Sequence, residues 1–498
     1  MAAEEPTMKM IRIKAATEEE EPPPVSPFSR LFQSPEVDSF IIVTLGCGIR
    51  LNSTTIIDGL KLSLINHPRF SSIPEMGRGN GGKPVWVQTK VNVEDHVFVP
   101  DIDPDMESPD QFLEDYISNL TTIPMDMSKP LWELHLLQVK SSVAESVGVF
   151  KIHHSLGDGM SLMSLLLACT RKTSDPEALP AVSAKKNHVG PSSFLGKIWW
   201  LVAGSWWITR LVFNTCVDLV MTILTICFLR DTKTPIVGGA EHKSRRFIHR
   251  IISLDDVKIV KTAMKMTIND VLVGVTQAGL SRYLSRRHDQ ETTSKSQQFP
   301  KRIRLRGAVF MNLRPTTGIK DLADMMAKGS KCRWGNWIGY VLIPFTVGSE
   351  ADPLEHVRRA KYTMERKKLS LEAVFSYAIL SLTMTAFGLK ALEDLTRRIF
   401  ERTTLTFSNM VGPEEEVSFY GHPITYIAPS AFGLPHVRTG LTLHFQSYAK
   451  KMIIIVAVDP TVIPDPHQLC DDLVESLSLF KSAVLERGSS HTDVKKLQ

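Results

Sequence analysis

A long apolar segment near the middle of the chain limits the folds that this sequence can adopt. Between Lys197 and Arg230 only Arg210 and Asp218 are charged. The stretch 211–229 approaches the roughly 20 apolar residues needed to span a bilayer. Tryptophans cluster at one end, as in the aromatic belt of a membrane surface; they are Trp199, Trp200, Trp206 and Trp207. The segment therefore divides the chain into two halves.

The same segment has two features that disfavour a simple transmembrane span. Asp218 would cost about 3 kcal/mol at the centre of a bilayer. A single span would also place the two halves on opposite sides of the membrane, where they could not share an active site. We therefore favour a hydrophobic hairpin, or in-plane helices that enter one leaflet. A true span and a buried inter-domain helix are the alternatives.

Both halves alternate between strand-like and helix-like patterns. The chain has 498 residues, more than one hydrophobic core usually organises, so two domains are expected. Strands are predicted at 85–91, 131–139, 148–152, 247–254, 305–312, 440–447 and 451–458. Helices are predicted at 54–66, 160–169, 255–265, 269–283 and 467–485. This mixture indicates an α/β fold in which two layered domains face each other.

The domain boundaries follow from composition. Residues 1–26 are acidic and proline-containing, which predicts a disordered tail. A first domain is predicted at 27–190, a linker with the apolar helices at 191–240, a second domain at 241–487 and a disordered tail at 488–498.

Charge and cysteine usage narrow the partners and the compartment. The net charge is 58 − 53 = +5, too weak to indicate a nucleic-acid partner but suited to an anionic cofactor or membrane surface. The cysteines are scattered, without C-x-x-C spacing, which favours a reducing compartment. No apolar core of a secretory signal is visible near the N-terminus. A site that faces the cytosol is therefore expected.

The segment His153-His154-Ser155-Leu156-Gly157-Asp158-Gly159 lies between a predicted strand and a predicted helix. An imidazole of near-neutral pKa can take a proton from an alcohol that attacks a thioester. Asp158 could cap the following helix or pair with an arginine, and the glycines would permit positive φ in a tight turn.

The histidine pair has two other interpretations, a structural role and a metal site. Histidines in a loop are commonly structural, and His153, His154 and Asp158 could in principle bind a metal. Adjacent residues of an extended segment point in opposite directions, however, so both rings would not easily reach one ion. We therefore predict a catalytic loop and no metal site.

HHSLGDG resembles the HHxxxDG signature of the coenzyme A-dependent acyltransferases related to chloramphenicol acetyltransferase. Over residues 27–485 the chain resembles the plant-type wax ester synthase/diacylglycerol acyltransferase family. The supporting matches are Pro130-Leu131-Trp132-Glu133, Asn269-Asp270, Met311-Asn312-Leu313-Arg314-Pro315, Gly335-Asn336 through Gly339, and Ser408-Asn409-Met410-Val411-Gly412-Pro413. The DFGWG motif of the BAHD relatives, which acylate plant secondary metabolites, is absent from the sequence.

The resemblance implies two chloramphenicol-acetyltransferase-like domains in a pseudo-dimer around a central tunnel. The catalytic residues would come from the loop of His153, His154, Asp158 and Gly159, with His154 as general base. Acyl-CoA would be a co-substrate, with no bound cofactor, and the acceptor would be a long-chain fatty alcohol or diacylglycerol. The expected location is the endoplasmic reticulum membrane with the site facing the cytosol; the plasma membrane is the alternative.

Several site assignments stay open in the sequence. The oxyanion of the tetrahedral intermediate needs a donor, which Asn269 or Asn409 could supply, although a helix cap and a turn residue explain them equally simply. Trp132 could line the acyl tunnel or pack in the core. The basic run of Lys301, Arg302, Arg304 and Arg306 could meet CoA phosphates or form a solvated face.

The predicted activity is acyl-CoA-dependent formation of wax esters from fatty alcohols, of triacylglycerol from diacylglycerol, or of both. One alternative is an acyltransferase of another class, acting on glycerolipid or secondary-metabolite alcohols, because His153-x4-Asp158 also fits the H-x4-D pair of glycerol-phosphate acyltransferases. Another is an inactive lipid-binding relative. A hydrolase is disfavoured because no G-x-S-x-G elbow occurs in the sequence.

Overall fold

The computed structural model describes residues 25–77, 84–103, 105–180, 194–237, 244–291, 302–314, 334–432 and 440–496. Over these ranges strands and helices are mixed in both halves of the chain, and two large sheets form the centre of the molecule. The predicted α/β class is therefore confirmed. Of the predicted N-terminal tail, residues 1–24 lie outside the described residues.

The first sheet has seven strands and carries the histidine loop. In spatial order these are β4 (Val97–Phe98), β5 (Trp132–Leu137), β6 (Ser146–His153), β1 (Phe40–Cys47), β13 (His422–Phe432), β12 (Val417–Phe419) and β7 (Thr170–Lys172). The central strand β1 is antiparallel to both neighbours, so that Phe40 lies opposite His153 on one side and Phe432 on the other.

Two strands of this first sheet come from the second half of the chain. β12 and β13 lie beyond the apolar crossover in sequence but pair with β7 and β1 of the first half. The domain boundaries predicted at residues 190 and 241 do not account for this exchange of strands. The exchange ties the two halves together through backbone hydrogen bonds.

The second sheet has six strands, in the order β10 (Ile338–Val347), β9 (Ile303–Asn312), β11 (Leu405–Val411), β14 (Leu441–Tyr448), β15 (Lys451–Val458) and β8 (Arg246–Ser253). The strands β11 and β14 are parallel, whereas β9 and β10 are antiparallel. A small separate hairpin is formed by β2 (Ser72–Met76) and β3 (Pro84–Gln88).

The helices cover the sheets and connect them. They are α1 (Pro27–Phe32), α2 (Ser53–Leu62), α3 (Pro109–Leu120), α4 (Gly159–Ala168), α5 (Phe194–Cys227), α6 (Leu254–Ala263), α7 (Ile268–Glu291), α8 (Leu354–Lys368), α9 (Glu372–Phe400) and α10 (Pro466–Lys496). Side-chain caps fix several starts, as when Asn52 accepts the Thr55 N–H at α2.

Among the four buried apolar clusters of the described residues, the three largest hold this arrangement. One fills the first sheet around Trp132, and a second fills the other sheet around Phe345 and Phe480. A third, which includes Phe28, Tyr340 and Leu380, lies between α1, α9 and β10. The third cluster borders the space between the two sheets.

The apolar crossover forms α5, one continuous helix of 34 residues. A hairpin within this segment, as favoured from the sequence, is therefore wrong, because no proline interrupts the helix and its backbone hydrogen bonds continue throughout. The alternative of a buried inter-domain helix is also wrong, since only 28% of the most apolar stretch of α5 is buried.

A second long apolar helix, α9, was not predicted. By length and composition, α5 and α9 could both cross a membrane. The final helix, α10, continues to Lys496, into the segment where the sequence predicts a disordered tail; a helix satisfies its own backbone polar groups and so can extend past the core.

Candidate active site

The two histidines of the loop point in different directions. His153 is the last residue of β6, and its ring meets Phe40 edge-on with the ring centroids 5.1 Å apart. Its Nδ1 lies 2.7 Å from Ser155 Oγ. The His154 ring instead packs on Phe32, with 4.2 Å between centroids, and borders a tunnel. Only His154 is therefore placed to meet a molecule in the tunnel.

The backbone of His154 is held on both sides. Its N–H donates to the Ser39 carbonyl at 2.8 Å, and its own carbonyl accepts from Asn336 Nδ2 at 2.9 Å. Burial lowers the pKa of His154 to about 4, although its own carbonyl, Asp158 and the Asn336 side chain oppose this shift. The ring is therefore neutral at physiological pH, the charge state that a general base requires.

Asp158 fixes the loop that carries His154. Its carboxylate caps α4 by accepting the Ser161 N–H at 3.0 Å. The other carboxylate oxygen accepts from Arg314 at 2.8 Å and from the Trp337 N–H at 2.9 Å. Both roles that the sequence suggested for this carboxylate, a helix cap and a partner of arginine, are therefore present together.

Arg314 links the two halves of the chain at this loop. Besides Asp158, it donates to Ser161 Oγ at 2.9 Å and to the Gly335 carbonyl at 2.7 Å. Both side chains of the ion pair are almost completely buried. Arg314 and Asn336 were noted in the sequence only as parts of motifs, because nothing there indicated which arginine meets Asp158 or which amide meets His154.

The loop glycines provide space rather than positive φ. Gly157 has φ 169, which is extended backbone open to any residue, so the predicted left-handed turn is wrong. A Cβ on Gly157 would lie 3.0 Å from the Ser161 Cβ, and one on Gly159 would lie 2.8 Å from Met410 Sδ. Close packing between the loop, α4 and β11 is therefore what excludes a side chain.

The two candidate asparagines meet each other. Asn409 borders the tunnel, and its Nδ2 donates to Asn269 Oδ1. Asn269 lies in the first turn of α7 and is not among the residues that line the tunnel. The neighbouring Asp270 accepts the Thr267 N–H at 2.8 Å and pairs with Lys368, as expected of a helix cap.

Trp132 lies in the core and not in the tunnel. Its ring is completely buried, stacks on His96 with centroids 4.4 Å apart, and donates through Nε1 to the Phe70 carbonyl at 3.1 Å. The packing role is therefore the one that this placement favours, and the substrate-binding assignment of Trp132 is not supported by the tunnel lining.

The tunnel runs between the two sheets, and apolar side chains form most of its wall. Both halves contribute, including Phe150 and Leu162 from the first and Phe310, Tyr340 and Phe400 from the second. Such a lining suits long hydrocarbon chains, because it buries apolar surface without leaving polar groups unpaired.

A second histidine lines the same tunnel and was missed in the sequence. His444 lies on β14, and its Nε2 accepts the Ala431 N–H at 3.2 Å, which leaves the proton of the neutral ring on Nδ1. Burial lowers its pKa to about 4, and the nearby His154 lowers it further. No motif surrounds His444, so only its position in the fold distinguishes it.

Comparison with known proteins identifies the family. The wax ester synthase/diacylglycerol acyltransferase catalytic domain matches residues 54–272, and the C-terminal domain of the same family matches residues 334–481. Wax ester synthase/diacylglycerol acyltransferase 11 from Arabidopsis thaliana is 63% identical over 97% of this chain and 99% of its own length. The chain belongs to the wax ester synthase/diacylglycerol acyltransferase family.

Other relatives support this family assignment and the fold. Wax ester synthase/diacylglycerol acyltransferase 2 from Arabidopsis thaliana is 57% identical over 94% of this chain and 97% of its own length. The wax ester synthase/diacylglycerol acyltransferase of Marinobacter aquaeolei VT8 has a similar structure, with a TM-score of 0.59 and 17% identity over 93% of this chain and 99% of that one.

A trichothecene 15-O-acetyltransferase from Fusarium sporotrichioides also shares the fold, with a TM-score of 0.57 and 11% identity over 94% of this chain and 98% of that one. The predicted pair of chloramphenicol-acetyltransferase-like domains around a tunnel is thereby confirmed. This member of the wax ester synthase/diacylglycerol acyltransferase family is accordingly an acyltransferase. The membrane-associating role of its apolar crossover stays a prediction.

Proposed function

We propose that this acyltransferase transfers a fatty acyl group from acyl-CoA to a long-chain alcohol, to diacylglycerol, or to both. The observation that carries the proposal is that His154, neutral and held at its backbone, borders an apolar tunnel between the two halves. A tunnel of this kind can hold an acyl chain and an apolar alcohol in line with one base. The relatives are named wax ester synthase/diacylglycerol acyltransferase, which agrees with these acceptors.

In the proposed reaction, a ring nitrogen of His154 takes the proton of the acceptor hydroxyl while the oxygen attacks the thioester carbonyl carbon. Collapse of the tetrahedral intermediate breaks the carbon–sulfur bond, and the departing CoA thiolate takes up the proton. The reaction requires no bound cofactor or metal.

The developing oxyanion needs a donor in the tunnel. Asn409 uses one amide hydrogen on Asn269 and has a second to offer, which makes Asn269 a positioning residue. His444 offers its Nδ1–H from the adjacent strand, where it lies beside Ser408 and not beside Asn409. Because neighbouring residues of a strand point to opposite faces of the sheet, we assign the oxyanion to one of these two donors.

Purified full-length protein with long-chain acyl-CoA and either a long-chain alcohol or diacylglycerol tests the proposal. Product mass identifies the ester, and the ratio of kcat/KM values ranks the two acceptors. His154→Ala is expected to lower kcat/KM by about 10²–10⁴-fold. A folded His154→Ala protein with undiminished product would remove the base from the mechanism, whereas a wild-type protein that forms no ester with either acceptor would favour the inactive, lipid-binding alternative.

The proposed location is the endoplasmic reticulum membrane with the site facing the cytosol. Two long apolar helices and the apolar tunnel support a lipid environment. Fractionation of cells that express the tagged full-length protein tests the compartment. Protease protection in sealed microsomes tests the orientation, and both halves are expected to be cleaved from outside.

A further inference from the structure

The polar face of α5 is turned toward the protein and its apolar face is turned outward. A helix that packs against a protein in water has the opposite arrangement. Its buried side chains are mostly polar: Asn214, Thr215, Asp218, Thr222 and Thr225. Its exposed side chains are mostly apolar: Trp206, Trp207, Ile208, Val212, Phe213, Val220, Met221 and Ile223. A surface helix in water shows the reverse distribution, whereas intramembrane polar side chains face the protein and apolar ones face lipid.

The first part of α9 also exposes an apolar side. Glu372 and Ser376 are buried together with Leu380 and Met384, whereas Val374, Phe375, Ile379, Leu382 and Phe387 are exposed. Because α5 and α9 are in contact, their exposed apolar side chains form one continuous apolar surface rather than scattered exposed residues. This surface of α5 and α9 is called the paddle below.

A buried charged cluster holds the paddle on the protein. Asp218 of α5 accepts from Arg366 and, at 2.9 Å, from Lys367, which also pairs with Glu372 of α9. Thr222 of α5 donates to the same glutamate at 3.1 Å. Asp218 therefore faces the protein, so the charge that disfavoured membrane insertion in the sequence would not enter the lipid.

The sheet topology decides how the paddle can meet a bilayer. The first sheet contains strands from before and after α5, and the second sheet contains strands from before and after α9. If either helix crossed the membrane once, strands of one sheet would lie on opposite sides. Both helices must therefore enter one leaflet from the same side.

The end of α5 adds a basic cleft beside this apolar surface. Arg230, Arg302 and Arg304 line it together with Thr232 and Thr346. Other arginines of the cleft are neutralised, since Arg306 pairs with Asp231 and Arg359 with Glu350. Arg230, Arg302 and Arg304 form no ion pair with any residue that the structure describes. Cations at the border of an apolar surface suit anionic headgroups.

α9 also separates the paddle from the tunnel. Leu380, Thr396 and Ile399 line the tunnel, while Leu382 and Phe387 of the same helix are exposed. The helix is kinked at Gly388, whose φ is 81, so that Leu380, Leu382 and Phe387 precede the kink and Thr396 and Ile399 follow it. We propose that α5 and α9 insert side by side into one leaflet of an anionic phospholipid membrane, and that the lipid acceptor reaches the tunnel from that leaflet past α9.

Vesicle flotation of the purified full chain tests the insertion. With phosphatidylcholine vesicles, the double variant Leu382→Glu/Phe387→Glu is expected to bind at least tenfold more weakly than the wild type. Met76→Glu is the matched control, because Met76 is 70% exposed but lies on β2, outside the paddle; it should bind like the wild type. Unchanged binding of the double variant, or an equal loss in the control, would overturn the proposal.

A second variant tests the basic cleft. Phosphatidylglycerol in the vesicles should strengthen wild-type binding, and Arg230→Gln/Arg302→Gln/Arg304→Gln should remove that gain while keeping the binding to phosphatidylcholine. An unaltered gain would contradict the headgroup role. Light scattering tests whether a second copy of this chain covers the paddle instead of lipid. In that case the wild type would be a dimer that Leu382→Glu/Phe387→Glu converts to a monomer. That result would also overturn the proposal.

The route of the acceptor rests on the proposed acyl transfer and has its own test. Leu382→Glu/Phe387→Glu should lower the rate with a long-chain alcohol carried in vesicles at least tenfold, and spare the rate with a short, water-soluble alcohol. If the double variant and the wild type acylated the vesicle-borne alcohol at equal rates, the proposed route of the acceptor past α9 would be contradicted. If the wild type acylated neither these alcohols nor diacylglycerol, the proposed function would fail, whereas the flotation result would still decide the insertion.

Discussion

At the scale of single residues, burial sets the charge of the proposed base. The tunnel wall and the packing on Phe32 remove water from the His154 ring, and the pKa falls from 6.5 to about 4. A depressed pKa keeps the lone pair available across the physiological range. It also weakens the base, so that correct placement of the hydroxyl has to supply much of the rate.

The pH dependence of the reaction follows from this shift. Because the ring is neutral above about pH 4, kcat/KM for a soluble acceptor is expected to be flat between pH 6 and pH 8 and to fall only as the pH approaches 4. A pH–rate profile of the purified protein measures this. An acidic limb with its midpoint near 6.5 would show an unshifted histidine and contradict the assignment.

The proposed oxyanion donors make a separate prediction. Removing one donor typically lowers kcat by about 10²–10³-fold. One of the two variants Asn409→Ala and His444→Ala is expected to lower kcat toward that range and to leave KM nearly unchanged, because the contact forms only in the transition state. If Asn409 is the donor, Asn269→Ala should have a smaller effect that Asn269→Asp restores in part, since an acceptor for Asn409 returns. Unchanged kcat in Asn409→Ala and His444→Ala would exclude both donors.

At the scale of elements, the polar cluster between α5, α8 and α9 explains why two apolar helices keep a fixed place on the protein. The carboxylates of Asp218 and Glu372 are buried and pair with Lys367, Arg366 and Thr222. Both cations meet Oδ1 of Asp218, and Oδ2 has no hydrogen-bond partner among the described residues. A buried charge without its partner is strongly unfavourable, so the cluster specifies one arrangement of the helices.

Removing one member should therefore destabilise the protein. Asp218→Ala leaves Lys367 with a single partner and is expected to lower the free energy of unfolding by about 3 kcal/mol. Asp255→Ala is the control, because Asp255 forms an exposed pair with Lys258 within α6 and should change it by less than about 1 kcal/mol. Thermal unfolding in one detergent compares them; equal melting temperatures of the two variants would contradict the structural role of the cluster.

At the scale of the whole molecule, the ion pair of Asp158 and Arg314 joins the histidine loop of one half to the end of β9 in the other. The exchange of β12 and β13 into the first sheet joins the same halves through the backbone. The tunnel between the halves is therefore built into a single rigid framework.

This junction can be tested with a double-mutant cycle. Asp158→Ala is expected to destabilise the protein by about 3–5 kcal/mol and to lower kcat, because Arg314 becomes a buried unpaired cation and the loop loses its anchor. Asp158→Leu combined with Arg314→Met should melt at a higher temperature than either single variant, while activity stays low. Additive losses in the double variant would show that the pair does not interact.

Acid stability also belongs to the whole molecule, because several histidines are buried together. Burial lowers the pKa of His67 to about 3 and those of His154 and His444 to about 4, from 6.5. The unfolded chain thus binds more protons than the folded one below 6.5. The melting temperature is expected to be constant above about pH 7 and to fall from pH 6.5 to pH 4; constancy through that window would contradict the burial of these rings.

The sequence by itself determined the fold class, the position of the histidine loop and most of the regular elements around it. Local signals were sufficient there: strand β15 was predicted with its observed bounds, Lys451–Val458, and the HHSLGDG run was placed between β6 and α4. The sequence pattern did not predict α9, because the serines, threonines and charged end of this helix dilute its apolar pattern.

Only the tertiary structure decided which distant groups meet. The pairing of Asp158 with Arg314, the approach of Asn336 and His444 to the His154 site, and the exchange of β12 and β13 are contacts between residues far apart in sequence. Periodicity and short motifs report the local chain and its burial, but not the partner across a sheet. For the same reason, only the fold showed that Asp218 faces the protein while the apolar side of its helix faces outward.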